Sequence, residues 1–183
     1  AALAMRARQH GCRIFTQSPV VEIEDGVAET PEGRVKADTI VLATHSPSGF
    51  HFVQAGMVVN REYGVAFRNP GAAWPEGIFW TRGGQSLSVR ALNSAEGNFL
   101  IAVGESHPTG RHDAEAALRA LVARGAERFG DLSLAYQWSA QNFRSPDGLP
   151  YIGRDPSDSF IATGFAADGL VYGTLAARII ANE

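Results

Sequence analysis

The chain has 183 residues, 45% of them hydrophobic and 19% charged, with a formal net charge of −3, an ordinary globular composition sufficient for one domain or two small ones. The near-neutral balance and the lack of any Lys/Arg run argue against nucleic acid as a main partner, and the apolar runs are too short to span a membrane. A single cysteine, Cys12, excludes an internal disulfide and suits a reducing, cytoplasmic setting.

In chain order, AALAMRARQHGCRIF has no initiator Met, carries no signal peptide and reads as a helix already under way, as expected of a fragment of a longer protein. Ala2 to Gln9 should be helical and stop at Gly11. Cys12, after that stop, reads as a buried, inert thiol. RIFTQSPVVEIE is extended chain, and VAETPEGRVKA is two short strands around a turn at Pro31 to Gly33. TIVLAT, Thr39 to Thr44, is a continuous apolar run too short for a helix, which suits a parallel strand buried on both faces. His45 to Gly56 reads as loop.

Between Met57 and Val103, MVVNREYGVAF, GIFWTR, SLSVRAL and NFLIAVG are separated by Pro/Gly turn signals, the pattern of an antiparallel sheet. DAEAALRALVARGAERF is an amphipathic helix. Asp113 is its cap, Leu118, Leu121, Val122 and Phe129 share one face, and Arg119, Arg124, Glu127 and Arg128 mostly avoid it. LAYQWSAQNF is a strand, RSPDGLPYIGR a loop, SFIATGF a buried strand, and a last helix runs from about Leu170 to Ala181. The fold class is therefore mixed α/β, with parallel-type strands at the two ends of the chain and an antiparallel block with a helix inserted between them. The division is residues 1–46 with 139–183 for the discontinuous part and 47–138 for the insert.

Two glycines stand out in FIATGFAADGL. Gly164 and Gly169 mark a strand, a glycine turn and a helix start, and a helix start offers unpaired N–H groups that favour an anion. Taken alone, the same pattern is a tight turn with the helix packed on its own sheet. Gly173, Ala176 and Ala177 put small side chains on one helix face. Thr44, His45 and Ser46 set small polar groups at a strand's carboxyl end, where open α/β sheets bind ligands, although a strand simply entering a loop looks the same. His107 and His112 lack carboxylate or cysteine partners at metal-ligand spacing, so no metal site is expected. GESHPTG could instead line a pocket. Trp74, Trp80 and Trp138 read as core or pocket walls, and Arg82, Arg90 and Arg144 as exposed residues able to hold an anionic group. No nucleophile elbow or P-loop is present, so no catalytic residue is assigned.

These signals together resemble a family. DGLPYIGRDPSDSFIATGFAADGLVYGTLAARII resembles the C-terminal signature of the D-amino-acid-oxidase-like flavoenzymes, which include glycine and sarcosine oxidases, and SPVVEIEDGVAETPEGRVKADTIVLAT resembles their central FAD-contacting segment. ATHSPSGFHF, GESHPTG and WSAQNFRSPDGLPYIGR resemble the branch often fused to a C-terminal Rieske domain. The resemblance implies a partial FAD-binding layered domain interrupted by an antiparallel substrate domain, and oxidation of a C–N bond by hydride transfer to FAD, giving an imine that water hydrolyses. It implies cofactor contacts at Val20, at Thr44, His45 and Ser46, and through Gly164, Phe165, Ala166, Ala167, Asp168, Gly169, Leu170 and Val171, with His45 where the family has glycine. Two family arginines that bind a substrate carboxylate are replaced here by Asn142 and Ala167. A polyamine, modified amine or larger substrate is then favoured, with His107, Gln141, Asn142 and Arg144 as pocket groups.

The family's G-x-G-x-x-G and a Rieske C-x-H pair do not occur in the sequence. The chain is thus expected to be the C-terminal part of a flavoenzyme, to bind FAD weakly or not at all alone, to be inactive by itself, and to self-associate through an apolar patch. Its partners would be an amine, the FAD-binding remainder, and a Rieske domain or another electron acceptor. Alternatives are a non-catalytic binding module and one subunit of a two-chain flavoenzyme.

Overall fold

A computed structural model describes residues 2–46, 56–68, 74, 76–81, 86–130, 132–156 and 158–183. Contacts divide the chain into two compact units: Ala1–Leu42 with Arg154–Ile161, and Ala43–Gly153 with Ala162–Glu183.

In the first unit, helix α1 (Ala2–Gln9) buries no residue. It ends as its sequence requires: Gly11 takes φ +88°, the Gly11 N–H donates to Arg8 O and the Cys12 N–H to Ala7 O, the paired bonds of a Schellman stop. Cys12 itself is exposed, not buried as the sequence suggested, because nothing among the described residues packs over the helix stop. Strands β1 (Glu22–Glu24), β2 (Val27–Thr30) and β3 (Gly33–Lys36) form an antiparallel meander. Its first turn is Asp25-Gly26, at φ 49° and 76°, the left-handed pair that a two-residue hairpin demands. Most of the stretch expected to be extended before Glu22 is irregular, with only its last residues in the ladder.

Strands β4 (Val41–His45), β10 (Tyr151–Arg154) and β11 (Phe160–Thr163) form a second sheet in the order β10-β11-β4. Strand β11 is buried throughout, as its apolar run implies. Two expectations fail here. Apart from Leu42, β4 is exposed, because it is the end strand of this sheet. The second half of the Pro/Gly-rich loop is strand β10, since pairing with β11 overrides its turn-like composition.

The second unit contains a five-stranded antiparallel sheet, β6-β7-β8-β5-β9, made of β5 (Val58–Arg68), β6 (Ile78–Trp80), β7 (Leu87–Ser94), β8 (Gly97–Pro108) and β9 (Ser133–Arg144). Alternation along these strands sends Tyr63, Val65, Phe67, Leu87, Val89, Leu100 and Ala102 to one face, where they enclose Leu121 of helix α2 (Ala114–Phe129). The opposite face carries a smaller cluster of Ala66, Phe99 and Ile101. Each such large side chain contributes about 1.5–3 kcal/mol when fully buried, so this sheet and helix are the stable centre of the unit.

Asp113 caps α2 by accepting from the Glu115 N–H at 2.9 Å. The mid-helix Gly125 has a packing reason: a Cβ there would stand 2.5 Å from the Phe67 ring. Leu118, Val122 and Phe129 pack as expected. Arg124 differs, because it reaches to β8 and pairs with Glu105 instead of pointing to water. Glu105 takes φ 54° where the β5–β8 register shifts. Trp74 packs edge-on against Phe129, and with Trp80 and Arg90 lines a cavity of about 270 Å³. Arg82 lies outside the described residues, as does most of the loop from His45 to Gly56.

Candidate functional site

The chain leaves β11 through a turn at residues 164–168 and enters helix α3 (Gly169–Ile180). Gly164 stands at φ +76°, a backbone that disfavours any side chain, with Met57 and Tyr151 behind it. Ala166 is also left-handed, at φ 49°. The turn is stitched to the end of β9: the Ala166 N–H donates to Phe143 O at 3.0 Å, and Arg144 and Phe165 form an isolated antiparallel bridge. The Asp168 N–H then closes on Phe165 O at 2.9 Å.

At the helix start, the Asp168 side chain makes no capping bond, so the first N–H groups of α3 are left without a side-chain acceptor. A Cβ at Gly169 or Gly173 would meet nothing within 4 Å. Leu170 is 92% and Val171 67% exposed, and Ala176 is the buried residue of the helix. The small-residue face expected at Gly173, Ala176 and Ala177 is therefore divided, with Ala176 packed inside and Gly173 open.

The end of β4 approaches the same place. Thr163 Oγ1 donates to His45 O at 3.1 Å, and the Ser46 N–H returns to Thr44 O at 2.7 Å around a left-handed His45, φ 64°. The His45 ring repays that backbone with Nε2 2.8 Å from Gln141 O and an edge contact on Phe143. Thus Thr44, His45, Ser46, the turn from Gly164 to Asp168, and the end of β9 form one neighbourhood.

The residues suggested for a substrate divide. Asn142 and Arg144 lie on one face of β9, and Gln141 lies on the other. His107 shares the Gln141 face, since both pair with Arg61. Its Nδ1 is 2.9 Å from Pro108 O and its Nε2 3.1 Å from the Tyr63 hydroxyl, so both ring nitrogens have partners. With His112 it lines a cavity of about 320 Å³ beside the start of α2. Val20 lies in the first unit and is exposed. Below the turn, Asp147 accepts from the Leu149 N–H at 3.0 Å. That bond, with a smaller contribution from Ser145, holds its carboxyl below the usual value.

Sequence reasoning missed Phe143, Met57 and Tyr151 as the supports of the turn, because each meets it through long-range pairing. It also missed Glu62, which the β5–β9 register places on the Trp138 face. Among the described residues, no group of His, Cys, Asp and Glu is arranged to hold a metal ion, and no helix is long and apolar enough to cross a membrane.

A family model described as FAD dependent oxidoreductase matches residues 1–183. The chain belongs to that family. It is 27% identical over 193 residues to YhfW of Bacillus subtilis (strain 168), named as a Rieske 2Fe-2S iron-sulfur protein, covering 99% of this chain and 37% of that protein. It is 26% identical to glycine oxidase of Bacillus subtilis (strain 168), over all of this chain and 53% of that enzyme. The crystal structure of glycine oxidase from Geobacillus kaustophilus shares the fold, with a TM-score of 0.72 at 20% identity, covering 99% of this chain and 51% of that one. The chain spans about half the length, or less, of the curated relatives it matches.

The residues present fit the FAD of this family. A glycine turn backed by Met57 and Tyr151, an open Gly169, helix N–H groups without a side-chain cap, and exposed Leu170 and Val171 offer a flat, partly anionic ring close backbone approach, donors and an apolar face.

Proposed function

We propose that the chain is the flavin-facing turn and substrate sheet of an FAD-dependent oxidoreductase that oxidises the C–N bond of an amine or amino acid. The observation that carries this reading is the stitching of residues 164–168 to the end of β9, which joins the open helix start to the sheet bearing Asn142 and Arg144. In this reading, residues 1–46 with 139–183 make the FAD side and 47–138 the substrate side. Gly164 to Val171, Thr44 to Ser46 and Val20 contact the cofactor, and Asn142 and Arg144 face the substrate.

When bound, FAD supplies the two-electron acceptor for a hydride leaving the carbon beside the nitrogen. The chain's own task is orientation. The turn fixes where a ring can lie, the α3 N–H groups favour negative charge at its edge, and the sheet holds the amine against it. Such chemistry needs a neutral amine in position rather than a nucleophile. The remainder of the FAD site comes from sequence outside these residues, in keeping with the share of its relatives that the chain covers. The likeness to YhfW supports a Rieske centre as one candidate electron acceptor, and the single Cys12 supports a cytoplasmic setting.

The test is FAD titration, read by flavin fluorescence, of this chain and of a longer protein that continues through the missing part of the family fold. Anaerobic bleaching of the bound flavin by candidate amines follows. Binding and bleaching by the longer protein, with weak or no binding by the 183 residues, is the expected result. Tight binding by this chain alone would overturn the division of the cofactor site. A longer protein that binds FAD and is bleached by no amine would overturn the reaction.

A further inference from the structure

We propose that the face of the sheet carrying Glu62 and Trp138 holds a cationic group of the substrate, so that the enzyme's substrate class is a di- or polyamine whose second ammonium lies away from the reacting nitrogen. The inference rests on the amine-oxidation reading for what the cation is attached to, and on the sheet alone for the site.

The register of β5 with β9 sets three successive rungs on one face. Asn60 faces Asn142, Glu62 faces Ala140, and Gly64 faces Trp138. Cross-strand neighbours on a face stand about 4.5–5.5 Å apart at Cβ, so these side chains form one patch. Its floor is small at Ala140, and around it stand an indole seated on Gly64, a carboxylate and two amides. The glycine is required: a Cβ at Gly64 would sit 2.3 Å from Trp138 Cε2, so the indole lies across the strand there. Even so, Trp138 remains 40% exposed, and a flat indole with a free face attracts a cation.

Glu62 is half-buried and, among the described residues, has no ion-pair or hydrogen-bond partner. A carboxylate partly withdrawn from water and unpaired gains most from an incoming cation. The Asn60 and Asn142 amides, facing each other on the next rung, offer carbonyl oxygens to the remaining N–H bonds of an ammonium. An amino-acid carboxylate would find Glu62 where it needs a guanidinium. Arg144, the cation on this face of β9, is four residues from Ala140, about 13 Å along the strand. Because Arg144 pairs with β5 through one edge and bridges to the turn at Phe165 through the other, the turn lies at least that far from Glu62. A flexible chain with two separated charges spans it, and glycine does not.

The experiment is calorimetric titration of the 183-residue chain with spermidine, with 1,8-octanediol and suberate as neutral and anionic chains of similar length. Spermidine should bind, and the other two should not. Glu62→Gln, which changes no partner, should weaken spermidine at least tenfold. Trp138→Leu should weaken it several-fold, whereas Trp138→Phe, which keeps a ring over Gly64, should recover most of the affinity. Glu115→Gln, on the exposed side of α2, should leave it unchanged and so separates this site from general attraction to an acidic protein. Equal binding of spermidine by the parent and by Glu62→Gln, or no binding of spermidine, would overturn the proposal even if the longer protein oxidises amines. Spermidine binding with the expected variant pattern, in a protein whose flavin no amine bleaches, would keep the cation site and overturn the reaction instead.

Discussion

His45 holds a left-handed backbone, φ 64°, that costs a residue with a Cβ about 1–2 kcal/mol. Its ring offsets this through the Gln141 carbonyl and the edge of Phe143. His45→Ala keeps the strain and loses both contacts, so thermal melts should show a loss of about 1–3 kcal/mol. His45→Gly loses the contacts but relaxes the backbone, and should be milder by about 1 kcal/mol. Asp147 acts at another level. Its hydrogen bonds depress the carboxyl's pKa in the folded chain, so the stability they contribute is present above the ordinary carboxylate value of 3.8 and lost as pH falls through the lower folded value. Asp147→Ala should therefore flatten the fall of unfolding midpoint with acid below about pH 4, while changing its shape little near neutrality.

At the scale of elements, α2 and β5 are fitted to each other at one point. Ala at position 125 would raise helix propensity by about 1 kcal/mol, but its Cβ would meet the buried Phe67 ring at 2.5 Å. Overpacking of this kind costs about 1–3 kcal/mol, so Gly125→Ala should lower the urea midpoint. Adding Phe67→Leu should recover part of that loss, because the two positions share one space. The same logic explains Arg124, whose pairing with Glu105 depends on where α2 lies over β8 and not on its place in the helical repeat.

The whole molecule is unequal in its stability. None of the described residues from 2 to 42 is buried, whereas β5, β7 and β8 carry a continuous core. Backbone protection follows buried contacts, so amides of β1, β2 and β3 should exchange with solvent much faster than those of β5 and β8 in a hydrogen-exchange time course. The apolar surface of α3 is the counterpart in the second unit. If it drives self-association, Leu170→Glu should lower the apparent mass in light scattering at high concentration, and an unchanged, strictly monomeric mass in the parent would remove that expectation.

What the sequence by itself determined is what local chemistry dictates. Gly11 stops α1, Asp113 starts α2, Pro/Gly turn signals separate the strands of the large sheet, and Gly164 marks the turn before α3. The family was legible too, because the order and spacing of its closing segment survive in the chain. Tertiary structure alone decided the rest. Cys12 and β4 are exposed because burial depends on what covers a segment, which its own residues do not state. Strand β10 exists because β11 offers it a ladder. Glu62 shares a face with Trp138 only through the register of two strands some seventy residues apart in sequence, as His45 meets Gln141 only through folding, and such pairings are set by long-range hydrogen bonds that no local pattern encodes.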